Sequence, residues 1–168
     1  MKKLLCICFC ICFLLCTGCS NFKDVKKEPL SFSGFSAVVR TELNGVTIIS
    51  NVTYNSASGY KFTFTKPKTI ENITISGSEG EFSLSGESLN LTLQSDKLPP
   101  SMICKALSDC VNAVSGASPI SQNGTLQYAY FVDDVQCMLY TDENKNFQKI
   151  TVGTQEFIFD SFSYTTGT

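Results

Sequence analysis

The stretch Tyr60-Lys61-Phe62-Thr63-Phe64-Thr65 gives the clearest indication of the fold, because aromatic side chains occupy alternate positions in it. Alternation with a period of two is typical of a β-strand that buries one face. Pro67 follows and predicts the end of the strand, since proline has no backbone N–H to donate to a sheet. The stretch therefore predicts a strand with its aromatic face in a hydrophobic core.

Short alternating segments of the same kind lie on both sides of this strand. Asn44-Gly45 separates two of them and predicts a hairpin, because both positions of such a turn require positive φ. Turn residues recur at intervals of about 8 to 12 residues, which indicates an antiparallel meander rather than alternating strands and helices. The later part of the chain predicts four more strands, at 125–132, 135–141, 147–152 and 155–164, after a loop at 119–124.

A single helix is predicted in the middle of the chain. Pro99-Pro100 interrupts the strands, and Ile103, Leu107 and Val111 then recur at helical spacing within residues 101–115. A flat sheet of about ten strands would leave a whole apolar face uncovered, and one short helix cannot cover it. We therefore expect a mainly β (α+β) fold: a curled antiparallel sheet of about ten strands that forms a half-barrel, with the helix at 101–115 as a plug or lid.

The N-terminus has the pattern of a secretory signal. Met1-Lys2-Lys3 is basic, and the residues from 4 to 15 are all apolar. Twelve residues span about 18 Å as a helix, which is too short for a bilayer core of roughly 30 Å. The pattern therefore predicts a cleaved segment rather than a transmembrane helix.

Thr17-Gly18-Cys19-Ser20 resembles the lipobox of bacterial lipoproteins. The resemblance implies that Cys19 is lipidated and becomes the new N-terminus. It divides the chain into a signal peptide (1–18), a lipidated tether (19–31) and a half-barrel domain (32–168). We expect the protein to be lipid-anchored at the extracytoplasmic face of the cell membrane.

The nine cysteines suggest a disulfide framework, but most of them lie in or next to the signal. Only Cys104, Cys110 and Cys137 fall in the predicted domain. Cys104 and Cys110 lie about 9 Å apart along a helix, beyond the roughly 7 Å limit for a disulfide. Two alternatives remain: one of them pairs with Cys137, or all three are buried free thiols that behave as small apolar side chains.

The composition argues against several kinds of chemistry. The chain contains no histidine, which excludes an ordinary Ser-His-Asp or Cys-His nucleophile and a histidine-based zinc site. It carries a formal net charge of −2 and no basic cluster beyond Lys23, Lys26 and Lys27, so nucleic acid is not an expected partner. No glycine-rich phosphate loop opens a helix. We expect no enzymatic activity, no cofactor and no metal.

Two acidic segments have more than one interpretation. Asp133-Asp134 lies between two predicted strands, where aspartate is either a turn residue or a candidate acid or base. Asp142-Glu143-Asn144-Lys145-Asn146 has some features of a calcium loop but lacks the glycine and final glutamate of an EF-hand. The other interpretation is a polar hairpin turn.

The order of these features resembles the half-barrel of the lipoprotein-localisation factors LolA and LolB. The stretch Gly59-Tyr60-Lys61-Phe62-Thr63-Phe64-Thr65-Lys66-Pro67-Lys68 is similar to the strand of that family that ends in a basic residue and proline. Gly80-Glu81-Phe82 stands where the family often has a glycine turn before its next strand. The chain also resembles small lipoproteins of clostridia-like Firmicutes. The resemblance implies that the helix plugs the open side and that the strands line an apolar cavity.

Thirteen phenylalanines and six tyrosines are many for a chain of this size. Together they indicate a concave face that is apolar enough to hold an acyl chain. The residues that we expect to line it, or else to form plain core, are Phe62, Phe64, Phe82, Leu91, Ile103, Leu107 and Val111.

Three hypotheses follow for the function. The leading one is a Gram-positive envelope protein that binds a lipid, an acyl group or a lipidated partner in the half-barrel. The second is a protein-interaction module without a ligand cavity, which binds a cell-envelope or sporulation protein. The third is an acid/base hydrolase that uses Asp133 and Glu143.

Overall fold

A computed structural model describes residues 30, 33–78, 80–115, 117, 119–122 and 125–165. The predictions of a signal peptide, of lipidation at Cys19 and of most of the tether fall outside these residues. Within the described part of the chain there are eleven β-strands, one α-helix and two short 3-10 turns. No helix there is long and apolar enough to cross a membrane.

The strands and the helix follow the predicted order closely. The helix α1 spans Ile103–Val114, slightly shorter than the predicted 101–115. The strands are β1 (Gly34–Leu43), β2 (Val46–Asn55), β3 (Gly59–Lys66), β4 (Thr74–Ser78), β5 (Glu81–Gly86), β6 (Leu89–Gln94), β7 (Ile120–Gln122), β8 (Thr125–Val132), β9 (Val135–Thr141), β10 (Phe147–Val152) and β11 (Gln155–Tyr164).

One strand was not expected from the sequence. Residues 119–124 were predicted as a loop, but Ile120–Gln122 pairs with β8 as the short strand β7. Three residues are too few for an alternating pattern to be recognised, and Pro119 and Gly124 flank them. The prediction of about ten strands therefore becomes eleven.

All eleven strands belong to one antiparallel sheet, in the order β6-β5-β4-β3-β2-β1-β11-β10-β9-β8-β7. The first six strands form a meander that runs outward from β1. After β6 the chain enters α1, and the last five strands form a second meander that returns to pair β11 with β1. The sheet is curled and unclosed, with β6 and β7 at its edges, which confirms the predicted half-barrel with one helix.

The hydrophobic core lies between the concave face of the sheet and α1. Phe35, at the start of β1, is fully buried and contacts the rings of Tyr54, Phe147 and Phe162. Aromatic rings at such separations pack favourably in offset or edge-on arrangements. They fill the end of the half-barrel near residue 35. The aromatic alternation seen in the sequence therefore produces a packed core at this end.

The outer, convex face is mostly polar, as the alternation requires. In β1, Arg40 points to this face and its guanidinium binds the carboxylate of Asp160 at 2.9 and 3.0 Å. Asp160 has no partner in the β1–β11 register, where the pairing shifts between Val38 and Val39. The bidentate pair thus lies at a β-bulge, which increases the local twist of the sheet.

Candidate functional site

The seven residues expected to line a cavity lie on the inner side of the half-barrel, four on the sheet and three on α1. On the sheet, Phe62 and Phe82 are fully buried, Phe64 is half-buried and Leu91 is 50% exposed. On α1, Ile103, Leu107 and Val111 are all buried. The structure thus places most of the set in the closed core and leaves Leu91 at an open edge.

The contact between α1 and the sheet is closed. Ile103, Ala106 and Leu107 of the helix face Val39, Ile150, Phe157 and Phe159 of the sheet. The gap that these side chains enclose has no room for a water molecule. Interiors packed to this density cannot accept an acyl chain without displacing side chains. These seven side chains therefore leave no space for a ligand between them in this conformation.

Part of the concave face remains uncovered by the helix. Leu43 and Val46, at the β1–β2 hairpin, are 52% and 47% exposed, and Leu89 and Leu91, on β6, are 39% and 50% exposed. Leu43 alternates along β1 with the buried Phe35, Ala37 and Val39, and it pairs with Val46. These exposed side chains therefore lie on the same face of the sheet as the core.

The two exposed pairs are connected by half-buried apolar residues. Ile48 follows Val46 on the same face, and Phe64 of β3 pairs with Ser50, the next residue of β2 on that face. Phe64 donates its N–H to the carbonyl of Ile73. A Cβ atom added at Gly86 would lie 3.6 Å from the side chain of Ile73 and 3.9 Å from that of Leu89. We call this set of exposed and half-buried apolar residues on the concave face the open apolar patch. Its members are Leu43, Val46, Ile48, Phe64, Ile73, Leu84, Leu89 and Leu91.

Sequence reasoning included only Phe64 and Leu91 of this patch. Leu43 and Val46 flank the Asn44-Gly45 turn, where φ is +51° and +77°. Side chains beside a hairpin turn are usually exposed, so nothing in the sequence distinguished them from ordinary surface residues. Their position on the concave face depends on the register of the β1–β2 pair.

Two buried hydroxyl groups on the inner face have no hydrogen-bond partner among the described residues. They are Ser50 Oγ, which lies between Val39 and Phe64 in the sheet, and the hydroxyl of Tyr128. Burial raises the pKa of Tyr128 above its ordinary value. An unpaired buried polar group costs about 1–3 kcal/mol, so these groups weaken the core rather than stabilise it.

The three cysteines of the domain are buried free thiols, and no disulfide joins α1 to β9. Cys110 of α1 lies against the hydroxyl of Tyr130, and Tyr130 pairs in the sheet with Cys137. Burial raises the pKa of the Cys110 thiol to about 12 and that of Cys104 to about 11. The thiols therefore stay protonated and unreactive near neutral pH.

The acidic residues considered for catalysis lie in turns. Asp133 and Asp134 join β8 to β9 with φ of +46° and +64°, as the two central residues of a tight hairpin turn do. Glu143 lies beyond the other end of β9, about 20 Å away along seven residues of strand. Paired catalytic carboxylates lie within roughly 10 Å of each other, so Asp133 and Glu143 do not form an acid/base pair.

The segment with features of a calcium loop is also a turn. Asp142 accepts hydrogen bonds from the backbone N–H of Asn146 at 2.8 Å and from its side-chain amide at 2.9 Å. Both carboxylate oxygens are thereby used within the loop. Among the residues that the structure describes, no group of three or more acidic or cysteine side chains is arranged to hold a metal ion.

A polar groove of about 220 Å³ lies at the β1–β11 end of the convex face, beside Arg40, Thr41 and Glu156. Two of its charged groups are paired: Arg40 binds Asp160, and Glu156 binds Lys149 at 2.8 Å. The side-chain amide of Gln155 donates to Thr41 Oγ1 and to the carbonyl of Glu42. The groove is therefore held together by its own hydrogen bonds and ion pairs.

Comparison with solved structures finds the same architecture elsewhere. The chain is similar to an uncharacterised conserved protein from Thermus thermophilus, with a TM-score of 0.53, 11% sequence identity and coverage of 86% of each chain. It is also similar to a LolA superfamily protein from Nitrosomonas europaea, with a TM-score of 0.44, 8% identity and coverage of 80% of this chain and 86% of that one. At 11% identity the first likeness concerns the fold alone.

No protein-family model matches the sequence. No curated protein matches it either. The features of this chain that bear on its function are therefore the half-barrel itself and the open apolar patch.

Proposed function

We propose that the chain is a membrane-anchored, extracytoplasmic lipoprotein that binds a lipid or acyl group, or a lipidated partner, at the open apolar patch. It acts without catalysis, as a carrier or receptor. The observation that carries the proposal is the exposure of Leu43, Val46, Leu89 and Leu91 on the concave face, where they continue the hydrophobic core.

The geometry of the patch supports an elongated apolar ligand. Its members run from the β1–β2 hairpin across β3 to the edge strand β6, and they present aliphatic side chains and one phenylalanine. Contiguous exposed apolar surfaces of this kind on soluble domains usually contact a ligand or another apolar surface. Each buried CH₂ contributes about 0.8 kcal/mol, so an acyl chain gains affinity by lying along the patch.

The proposed anchor is compatible with a ligand drawn from the membrane. Leu30, where the described domain begins, lies eleven positions after Cys19 in the chain. That length of chain extends over at most about 40 Å. The proposed lipid at Cys19 would therefore keep the half-barrel close enough to the membrane to collect or deliver an acyl group.

A second candidate is a protein-interaction module without a ligand cavity. It is favoured by one observation, the closed contact between α1 and the sheet, which has no room for a water molecule. In that case a partner protein from the cell envelope would cover the open apolar patch instead of a lipid. The two candidates use the same surface and differ in the occupant.

Native mass spectrometry of the chain purified from bacterial membranes in mild detergent separates the two candidates. A non-covalent adduct of a few hundred daltons that organic extraction removes, while the covalent anchor remains, supports the lipid-binding function. A bare lipoprotein mass contradicts it. A co-purifying protein in stoichiometric amount would then indicate the interaction module.

A further inference from the structure

The two edges of the sheet are protected to very different degrees. The edge strand β7 has only three residues and follows Pro119, which makes it a poor template for a further strand. The edge strand β6 has six residues, Leu89-Asn90-Leu91-Thr92-Leu93-Gln94, with no proline and no charge. It pairs with β5 without a bulge, and five of its six residues are exposed. Natural sheets usually block such an edge with lysine, proline or a bulge.

The register of β5 and β6 shows which backbone groups of the edge are unused. Ser95 donates its N–H to the carbonyl of Gly80 at 2.9 Å, next to the Glu81–Gln94 pair. Hydrogen-bonded and non-hydrogen-bonded pairs alternate along an antiparallel ladder. The backbone groups of Asn90, Thr92 and Gln94 must therefore point away from β5. Among the described residues no strand lies on that side of β6.

These outward groups are arranged symmetrically about Thr92. If two copies of β6 pair in antiparallel orientation with Thr92 opposite Thr92, then Asn90 of each copy lies opposite Gln94 of the other. All three outward residues are then hydrogen-bonded, and the concave faces of the two sheets become continuous. A two-fold axis through Thr92 generates this arrangement and closes it at two copies.

The side chains are compatible with the same register. Residues 88 to 95 carry no charge, so no like charges oppose each other within the paired strands. Leu91 lies opposite Leu93 of the other copy on the concave side, which covers side chains that are otherwise exposed. At the ends, Glu87 of each copy lies toward Lys97 of the other, a pair of opposite charges.

We propose that the β6 edge is a self-association surface, at which two copies of this chain join their sheets through antiparallel pairing centred on Thr92. A second copy of the chain fits this edge, because the hydrogen-bonding groups and charges of one β6 strand complement those of another. The interface is small, so the dimer is expected to depend on protein concentration.

Cysteine cross-linking of the full-length chain in isolated membranes tests the register. Residues opposite each other in a hydrogen-bonded pair have Cα atoms about 5.5 Å apart, which suits a disulfide. Copper phenanthroline should therefore convert Thr92→Cys to a covalent dimer. The control is Ser83→Cys, which is equally exposed on the neighbouring strand β5 but not at the edge. Equal cross-linking of the two variants, or none of Thr92→Cys, overturns the proposal.

A second comparison uses charge and leaves the open apolar patch unchanged. Asn90→Lys with Gln94→Lys places like charges opposite each other in the proposed dimer, whereas Asn90→Glu with Gln94→Lys places opposite charges there. In the Thr92→Cys background the first pair should reduce cross-linking about tenfold relative to the second. Equal cross-linking by both pairs contradicts the register.

Thr92→Pro removes a backbone N–H that points away from β5, so it should also abolish self-association. Sedimentation velocity of the detergent-solubilised chain measures this. A dimer that persists in this variant overturns the proposal. Because these variants keep the leucines of the patch, lipid binding by each variant is measured separately, and its failure is distinguished from a failure to self-associate.

Discussion

Leu30 forms an isolated parallel bridge with Ser115, the residue that follows α1, and its side chain is only 3% exposed. The segment was predicted to belong to a flexible tether that extends to residue 31. The bridge shows that the packed domain includes Leu30 and that the start of the described chain is joined to the end of the helix. The described chain therefore begins beside the C-terminal end of α1.

Leu30→Ala should lower the free energy of unfolding by about 2–4 kcal/mol, because it removes a buried leucine and leaves a cavity. Leu43→Ala is the matched control, since the same change at a 52% exposed leucine should cost less than about 1 kcal/mol. Urea denaturation followed by circular dichroism measures both. Equal effects would mean that Leu30 does not pack as the structure shows.

Val46→Lys should weaken binding of a fluorescent fatty acid at least about tenfold, because it places a charge in the open apolar patch. Phe131→Lys is the control: Phe131 is 70% exposed but lies on the convex face of β8. Both variants should keep wild-type stability, since both side chains are exposed. Equal affinities in the two variants would place the ligand away from the patch.

The protein should lose stability above about pH 9, because the pKa of Cys110 is raised from 9.0 to about 12 in the folded state. The folded chain then holds a proton that the unfolded chain releases. The contribution of this thiol to the free energy of unfolding is complete below pH 9. It decreases by about 1 kcal/mol per pH unit as the pH rises toward 12, as expected for a fully buried thiol. Urea denaturation at pH 8 and pH 10.5 measures the loss.

Cys110→Ala provides the control for this pH dependence. The variant should be less stable than the wild-type chain at pH 8 but should lose less stability between pH 8 and pH 10.5. An unchanged slope would mean that other groups cause the alkaline loss. Cys104, with a pKa of about 11, should account for part of the remaining slope.

Asp134→Ala should cost about 1 kcal/mol, whereas Asp134→Gly should be nearly neutral, because Asp134 has a φ of +64° in the β8–β9 turn. Glycine adopts this conformation without the steric cost that alanine has. A catalytic role would instead make both changes equally harmful to an activity. The comparison of the two denaturation curves therefore tests the assignment of Asp133-Asp134 as a turn.

Much of the fold could be predicted, because the patterns that indicate it lie within short segments of the sequence. The last four strands were predicted with the bounds that the structure shows, since alternating side chains and turn residues such as Asn44-Gly45 and Asp133-Asp134 are properties of short segments. The helix was predictable from the spacing of Ile103, Leu107 and Val111. The half-barrel followed from the number of strands and the shortage of helix to cover them.

The candidate site was less predictable, because exposure depends on which elements meet. Phe62, Phe64, Phe82 and Leu91 alternate in the same way in the sequence, yet Phe62 and Phe82 are fully buried while Leu91 is half exposed. The difference follows from position in the sheet: Phe62 lies on β3, which α1 contacts, whereas Leu91 lies on the edge strand β6.

Neighbouring residues were enough to predict most of the strands, the turns and the single helix, since each of these depends on a short segment of the chain. Other features required the three-dimensional structure: the close packing of Ile103 and Leu107 on the sheet, the exposure of Leu43, Val46, Leu89 and Leu91 on one face, and the separation of Asp133 from Glu143 by the length of β9. These relationships join residues far apart in the chain. They are set by strand register and by the place where one helix covers a sheet that is too large for it.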